Sequence, residues 1–181
     1  MKNSFLAKCA SVTFVLLFPL LSTIATAQQK PDLTDPEVAS VAVTANQIDI
    51  EYAQIATLKS KNPEVLNFAK TMANDHKAVI DQAVALATKL KVTPKTNKVT
   101  KQLLTDAGKT KKTLKTKKGI AFDRAYIDNE VAYHKAVIGA VETVLIPTTD
   151  NSELKGLLQN VLPALKTHLS HAEMLQQKLN K

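Results

Sequence analysis

Cysteine, tryptophan and glycine are scarce in this chain of 181 residues, which has one Cys, no Trp and 4 Gly. The single cysteine, Cys9, lies ahead of the N-terminal hydrophobic stretch, in a segment that we expect to be removed. A mature chain without a thiol cannot form disulfides, thiolate metal sites or a cysteine nucleophile. The low glycine count and a hydrophobic content of 45% instead favour one helical domain with a substantial core.

The N-terminus has the pattern of a secretory signal peptide. Lys2 and Lys8 precede the apolar stretch Ala10–Leu21, and Ala25-Thr26-Ala27 provides a small-x-small cleavage site. The apolar stretch is about a dozen residues long, shorter than the roughly 18 that a membrane-spanning helix needs. We therefore predict that residues 1–27 direct export to a periplasm or to the outside, and that the mature chain has no transmembrane helix.

The mature chain is predicted to be all-α and antiparallel. Residues 28–36 form a flexible lead-in, and residues 37–181 form a single domain in which apolar residues recur at helical spacing over four long segments. Short turns at residues 62–64 and 148–152 make the helices that they join antiparallel. The longer connection, residues 91–118, is predicted to hold a short extra helix. An up-down-up-down order and a crossover order both fit a connection of this length.

Three histidines interrupt the apolar stripes of the second, third and fourth long helices near their middles. Each takes the place of an apolar residue at a position that faces inward in a bundle. The stripes are Val65, Ala69, Met72, His76, Val79, Ala83, Leu86, Leu90; Ile120, Arg124, Ile127, Val131, His134, Ile138, Val141, Leu145; and Leu154, Leu158, Val161, Leu165, His168, Ala172, Leu175, Leu179. The first helix contributes Asp49 at the edge of its own stripe.

Counting residues from the turns predicts the height of each polar residue in the bundle. Asp49 lies about 12 residues before the first turn and His76 about 13 after it, so both should be ~18–20 Å from that end. The same count places His134 ~20 Å and His168 ~27 Å from the opposite turn. We therefore expect Asp49 and His76 to be level, and His168 to lie about one helical turn away.

Buried histidines need partners, because each ring has one donor and one acceptor to satisfy. Imidazoles with one carboxylate suit a transition metal such as Zn, Cu, Ni or Fe. We hypothesise a site for a single metal ion made of Asp49, His76, His134 and His168, with Asp75 and Glu130 orienting the ligands. The alternative is a purely structural layer of hydrogen bonds that fixes the register of the helices.

Other chemistries lack support in the sequence. Ferritin-type di-iron sites use Glu-x-x-His on two helices, whereas Glu130 and His134 are spaced by four. Neither Gly-x-Ser-x-Gly nor a glycine-rich phosphate loop is present. His171 falls off the apolar stripe and is interpreted as a boundary residue. We therefore describe the chain as a non-enzymatic protein with a candidate metal-binding core.

Positive charge is concentrated in residues 91–118, which hold ten lysines and one acid, Asp106. The segment lacks arginine and aromatic residues, which specific recognition of nucleic acid uses. A second hypothesis is therefore that it binds anionic lipid or polysaccharide of the cell envelope, chiefly through the lysines of its C-terminal part. These are Lys109, Lys111, Lys112, Lys115, Lys117 and Lys118. The competing interpretation is a solvated segment that aids solubility.

Several short motifs together resemble the exported bacterial proteins of domain-of-unknown-function family 4142. They are Asn46-Gln47-Ile48-Asp49, Asn62-Pro63-Glu64-Val65-Leu66-Asn67-Phe68-Ala69-Lys70-Thr71-Met72, Asp75-His76, Phe122-Asp123-Arg124-Ala125-Tyr126-Ile127-Asp128 with His134, and Leu162-Pro163-Ala164-Leu165-Lys166-Thr167-His168-Leu169. The resemblance covers about residues 38–178. It implies a ferritin-like four-helix bundle in the cell envelope without an established biochemical role. Members of the family usually carry Glu at the position of Asp49.

Overall fold

The computed structural model describes residues 32–181, which are helical apart from short connections. The predicted signal peptide, residues 1–27, and residues 28–31 of the lead-in lie outside this range. Among residues 32–181, none of the helices combines the length and the hydrophobicity needed to span a bilayer. The helices are α1 (Asp35–Lys59), α2 (Pro63–Leu90), α3 (Lys98–Thr116), α4 (Gly119–Ala140, continued by a π-helical turn, Val141–Leu145, and a last turn, Ile146–Thr148) and α5 (Ser152–Leu179).

Helix ends follow the capping residues in the sequence. Asn62 accepts a hydrogen bond from the backbone N–H of Glu64 at 2.9 Å, and Pro63 occupies the first turn of α2. Helix α1 begins at Asp35 rather than at Glu37, because the carboxylate of Glu37 accepts a hydrogen bond from the backbone N–H of Thr34 at 3.1 Å. The lead-in therefore ends earlier than predicted.

Contacts at the two ends of the bundle fix the direction of α2 relative to α5. Lys178, in the last turn of α5, pairs with Glu64 in the first turn of α2. At the opposite end, Lys89 of α2 pairs with Glu153 in the first turn of α5. The two helices are therefore antiparallel neighbours.

Helix α1 is likewise antiparallel to α4 and parallel to α3. Asp35, at the start of α1, accepts hydrogen bonds from the backbone N–H groups of Asp150 and Asn151, both at 2.9 Å, which places it against the α4–α5 turn. At the other end of α1, the ammonium of Lys59 donates to the carbonyl of Lys115 at 2.8 Å. Helix α3 thus returns the chain along α1 before α4 begins, and the crossover order is the one present.

The connection between α2 and α4 is more regular than predicted. We predicted a short extra helix within residues 91–118, and α3 runs unbroken over 19 residues from Lys98 to Thr116. Thr100, Ala107 and Leu114 are its buried residues, spaced by seven, while Gly108 is exposed. The buried face stabilises the helix against α1, and one exposed glycine costs only about 1 kcal/mol.

Helix α4 also extends further than predicted, because helical structure continues through Pro147 to Thr148. Proline lacks an N–H and clashes with the carbonyl four residues before it in a regular α-helix. Here the N–H of Ile146 bonds to the carbonyl of Val141, five residues back, and the wider π-turn accommodates the proline. The turn between α4 and α5 therefore comprises residues 149–151.

The interior differs between the two halves of the bundle. The packed half, nearest the α1–α2 turn, has a continuous core that contains Tyr52, Phe68, Met72, Phe122 and Tyr126. The hollow half, nearest the α4–α5 turn, has a second core made by the start of α1, the end of α4 and the start of α5. All fully buried residues of α2 lie between positions 65 and 76, and its second half contacts the second core through the half-buried Leu86.

Candidate metal centre

The structure brings together the four predicted ligands at the boundary between the two halves. Asp49 of α1, His76 of α2, His134 of α4 and His168 of α5 are all buried, with exposed fractions between 0 and 7%. The ring centroids of the three histidines are 5.4–5.6 Å apart. His168 is thus level with the others and not one turn away. The residue count ended α4 before Pro147 and counted α5 from Asp150, whereas α4 continues to Thr148 and α5 begins at Ser152.

Each imidazole is oriented by a hydrogen bond on its outer side. The amide nitrogen of Asn46 donates to the carbonyl of Ala42 at 2.8 Å, so its oxygen accepts a hydrogen bond from Nδ1 of His76 at 2.7 Å. Nδ1 of His134 donates to the carbonyl of Glu130 at 3.0 Å. These bonds fix the tautomers and leave Nε2 of both rings with a lone pair.

The third ring is oriented by Asp75, one of the two carboxylates that we hypothesised to orient the ligands. Nε2 of His168 donates to the Asp75 carboxylate at 2.9 Å, which leaves Nδ1 with the lone pair. Nε2 of His76, Nε2 of His134 and Nδ1 of His168 are buried without a hydrogen-bond partner among residues 32–181. One nitrogen from each ring lies within 4.8 Å of one from each of the others. Outer hydrogen bonds of this kind are typical of metal-binding histidines.

Asp49 lies beside two of these nitrogens. One of its oxygens is 3.4 Å from Nε2 of His76 and 3.8 Å from Nε2 of His134. Both carboxylate oxygens are buried and form no hydrogen bond with any part of the chain that the structure describes. Burial raises the pKa of Asp49 from 3.8 to about 8, because the ionised form has lost its water. A bound cation would reverse that preference.

Glu130 is closer to the cluster than an outer orienting role requires. Its side chain is fully buried, one oxygen is 3.6 Å from Nδ1 of His134, and neither oxygen has a hydrogen-bond partner within residues 32–181. Asp49, Glu130 and His134 also form a group whose ligand atoms lie within 4.8 Å of one another. Burial and the neighbouring Asp49 raise the pKa of Glu130 well above its usual value.

His76 and His134 are neutral at neutral pH. Burial first, and then the neighbouring rings His134 and His168, lowers the pKa of His76 to about 3. Burial, and to a smaller degree His168, lowers the pKa of His134 to about 4, although its bond to the Glu130 carbonyl acts in the opposite direction. Neutral imidazoles can ligate a metal without losing a proton. Two ionised carboxylates with neutral imidazoles would match one divalent cation in charge.

A purely structural hydrogen-bond layer is less well matched to this geometry. The distances from Asp49 to the two ring nitrogens exceed those of good hydrogen bonds, about 2.7–3.2 Å. Such a layer would also leave the buried oxygens of Glu130 unsatisfied, at a cost of about 1–3 kcal/mol for each group. Asn46 was missed as an orienting residue. Its position one turn before Asp49 was the signal that could have identified it.

A cavity of about 720 Å³ connects the cluster to the hollow half. All four predicted ligands line it, and the rest of its wall is mainly aliphatic. Val79, Ala83 and Leu86, which continue the α2 stripe after His76, are half-buried and line this space. The sequence predicted that they face inward, but not that they border a cavity.

His171 and the lysines of the second hypothesis lie away from this cluster. His171 is half-buried and packs edge-on against Phe68, with ring centroids 5.2 Å apart. Among the six predicted anion-binding lysines, Lys109 pairs with Asp106 at 2.9 Å and Lys111 pairs with Glu51. The other four are exposed and form no ion pair within residues 32–181. They are Lys112, Lys115, Lys117 and Lys118.

Comparison with known proteins gives one family and one related fold. The family model described as "Domain of unknown function (DUF4142)" matches residues 21–175. A solved structure described as "CopM in the Cu(II)-bound form" is similar with a TM-score of 0.61 and 15% sequence identity, over 82% of this chain and 99% of that chain. No curated protein matches the sequence. At this identity the similarity to CopM concerns the helical fold alone.

Proposed function

The chain belongs to the family of the domain of unknown function DUF4142, and we propose that it binds a single transition-metal ion through His76, His134, His168 and Asp49. The observation that carries the proposal is that three imidazole lone pairs converge in the core while an outer hydrogen bond holds each ring. The nearby carboxylates of Asp49 and Glu130 supply the negative charge that a divalent ion needs.

Copper is the first metal to test. Imidazole ligands suit Cu, Zn, Ni and Fe. We test copper first because the protein with a similar helical fold is described in its Cu(II)-bound form. When bound, the ion would accept electron pairs from the three rings and neutralise the buried carboxylates. The role that this set of ligands supports is that of a metal-binding protein.

We further propose that the protein acts in the cell envelope and has a ferritin-like bundle. The first part of this proposal rests on the signal-peptide pattern of residues 1–27. The second is supported by the crossover carried by α3 between two antiparallel helix pairs. Cell fractionation with a C-terminal tag tests the location. Retention of residues 1–27 in a cytoplasmic protein would contradict it.

Calorimetric titration of chelator-treated protein with Cu(II), Zn(II), Ni(II) and Fe(II) tests the metal site. We expect saturable uptake of one ion per chain, and a loss of affinity of at least about tenfold in His134→Ala, whose ring is the most buried. The matched control is His171→Ala, which removes an imidazole outside the cluster and should leave affinity unchanged. Absence of saturable uptake of all four ions, with folding verified by circular dichroism, would refute the proposal.

A second candidate function is binding of an anionic envelope surface. Lys112, Lys115, Lys117 and Lys118 are exposed near the end of the bundle where Lys59 contacts Lys115. Charge concentrated at one end suits anionic headgroups or acidic polysaccharide, with an attraction that salt screens. Changing all four to Gln should abolish sedimentation with anionic vesicles at low salt. Changing Lys91, Lys95 and Lys98, at the opposite end, to Gln should leave sedimentation with the vesicles intact. An equal loss of sedimentation in both variants would contradict the location of the binding surface.

A further inference from the structure

The cavity between the histidine cluster and the α4–α5 turn is too large to be a packing defect. Protein interiors have few voids larger than a water molecule, whereas this space, which is partly open to solvent, measures about 720 Å³. Its volume lies within the 300–1,000 Å³ typical of sites that hold small organic molecules. Because its walls are mainly aliphatic, water gains few hydrogen bonds there. An apolar molecule is the occupant that such walls suit.

The space is elongated along the bundle axis. Its lining on α2 begins at Asp75 and ends at Leu90, a distance of about 20 Å along a helix. On α1 the lining runs from Asp35 to Tyr52. A long, narrow and aliphatic space fits an extended hydrocarbon chain better than a compact ring system.

Among residues 32–181, the buried side-chain polar atoms that line this space without a partner all lie at one end of it. At the far end, Asp35 already accepts hydrogen bonds from the backbone N–H groups of Asp150 and Asn151. At the near end, the inner nitrogens of the three histidines and both oxygens of Asp49 are buried and unpartnered within the described chain. A ligand with one polar group would therefore place that group at the histidines.

We propose that this cavity binds a long-chain monocarboxylic acid, with the hydrocarbon chain in the hollow half and the carboxyl group at the three imidazoles. A carboxyl group donates its O–H to an imidazole lone pair, and in ionised form it ligates a metal ion. The same ligand therefore suits the site with and without metal. The metal-loaded form of this proposal rests on the proposed function, whereas the metal-free form does not.

Displacement of a fluorescent polyene fatty acid by hexadecanoic acid tests the proposal on delipidated protein, below the micelle concentration. We expect one saturable site per chain. The methyl ester of the same acid should bind at least about tenfold more weakly, because it has neither the O–H nor the charge. Failure of hexadecanoic acid to bind saturably, or equal binding of acid and ester, would overturn the proposal.

A pair of matched variants locates the ligand. Ala83 lines the cavity, whereas Ala85, on the same helix, is exposed and does not. Ala83→Phe should weaken binding by at least about tenfold, since its ring occupies space that the chain needs, and Ala85→Phe should have no effect. Ala83→Leu provides a milder obstruction if the Phe variant fails to fold. Equal affinity in wild type and both Ala83 variants would place the ligand elsewhere and overturn the assignment.

Metal titration of the Ala83→Phe variant separates the two proposals. We expect unchanged metal affinity, because the substituted residue lies about two helical turns from His76. In wild type, uptake of metal without binding of the acid would overturn the cavity assignment and leave the metal site standing. Binding of the acid by a protein that takes up no metal would refute the metal site and support the cavity in its metal-free form.

Discussion

The two halves of the bundle use the same heptad pattern on α2 with different results. Val65, Ala69 and Met72, which precede His76 in the stripe, are fully buried. Val79, Ala83 and Leu86, which follow it, border a cavity. The aromatic residues account for the difference. The aromatic residues of the described chain lie in the packed half or at its boundary, whereas the second core is made of aliphatic residues within the range 32–181. The aromatic residues are Tyr52, Phe68, Phe122, Tyr126 and Tyr133. Large rings fill the space between helices that Ala and Val leave open.

The largest expected effect contrasts one core residue from each half. Phe68 is fully buried and packs against Tyr126 with ring centroids 6.2 Å apart, so Phe68→Ala should cost about 3–5 kcal/mol. Leu86 is half-buried and faces the cavity, so Leu86→Ala should cost only about 1 kcal/mol. Urea denaturation measures both values. Similar losses of stability in the two variants would show that the hollow half is as well packed in solution as the packed half, which would contradict the comparison.

The same substitution at equivalent heptad positions should change stability in opposite directions. Ala69 and Ala83 are two heptads apart on α2, on either side of His76. Ala69→Leu overfills the packed half and should cost about 1–3 kcal/mol. Ala83→Leu should gain up to about 2 kcal/mol, because it buries additional methyl groups in the cavity. Differential scanning calorimetry of both variants checks the signs, and destabilisation by both would contradict the comparison.

Part of this comparison could be predicted from the sequence. The stripes predicted the inward faces of the four long helices. The short turn at Asn62 predicted that Asp49 and His76 are level, and a carboxylate oxygen of Asp49 lies 3.4 Å from Nε2 of His76. Two features could not be predicted in this way. The π-turn before Pro147 depends on packing around α4, and the cavity depends on how far α2 stands from α5. A periodic pattern gives the face of a helix, but not the distance to its neighbour.

The buried carboxyl group of Asp49, at the boundary between the halves, should make the stability of the metal-free protein depend on pH. Burial raises the pKa of Asp49 from 3.8 in the unfolded chain to about 8 in the folded protein. The free energy of unfolding is therefore unaffected by this group below pH 3.8, and it decreases as pH rises from 3.8 toward 8. Lowered histidine pKa values act in the other direction, and only below pH 6.5. Between pH 6.5 and 8, wild type should therefore lose about 2 kcal/mol through Asp49.

Asp49→Asn tests this assignment because it cannot ionise. Urea unfolding in the presence of a chelator should show a smaller loss of stability between pH 6.5 and 8 than in wild type. Glu130 should keep part of the dependence, since its pKa is also raised. An exposed carboxylate, changed in Asp81→Asn, is the control and should leave the dependence unaltered. An unchanged pH dependence in Asp49→Asn would mean that the carboxyl group is hydrated or paired in solution.

The smallest expected effect concerns two exposed ion pairs that join α2 to α5 at opposite ends. Lys178 pairs with Glu64 beside the packed half, and Lys89 pairs with Glu153 beside the hollow half. Each pair should contribute about 0.2–1 kcal/mol in a double-mutant cycle, because water screens exposed charges. The global stabilities of Lys178→Met and Lys89→Met should therefore be nearly equal.

Their local effects should nevertheless differ. In the packed half, apolar contacts of Val65, Phe68 and Met72 hold α2 in place without the ion pair. In the hollow half, few such contacts hold residues 79–90, so loss of the Lys89 pair should let this part of the helix open more often. Hydrogen exchange should accelerate at residues 79–90 in Lys89→Met, and stay unchanged at residues 65–72 in Lys178→Met. Equal acceleration at both ends would show that packing holds α2 equally along its length, which contradicts a hollow half.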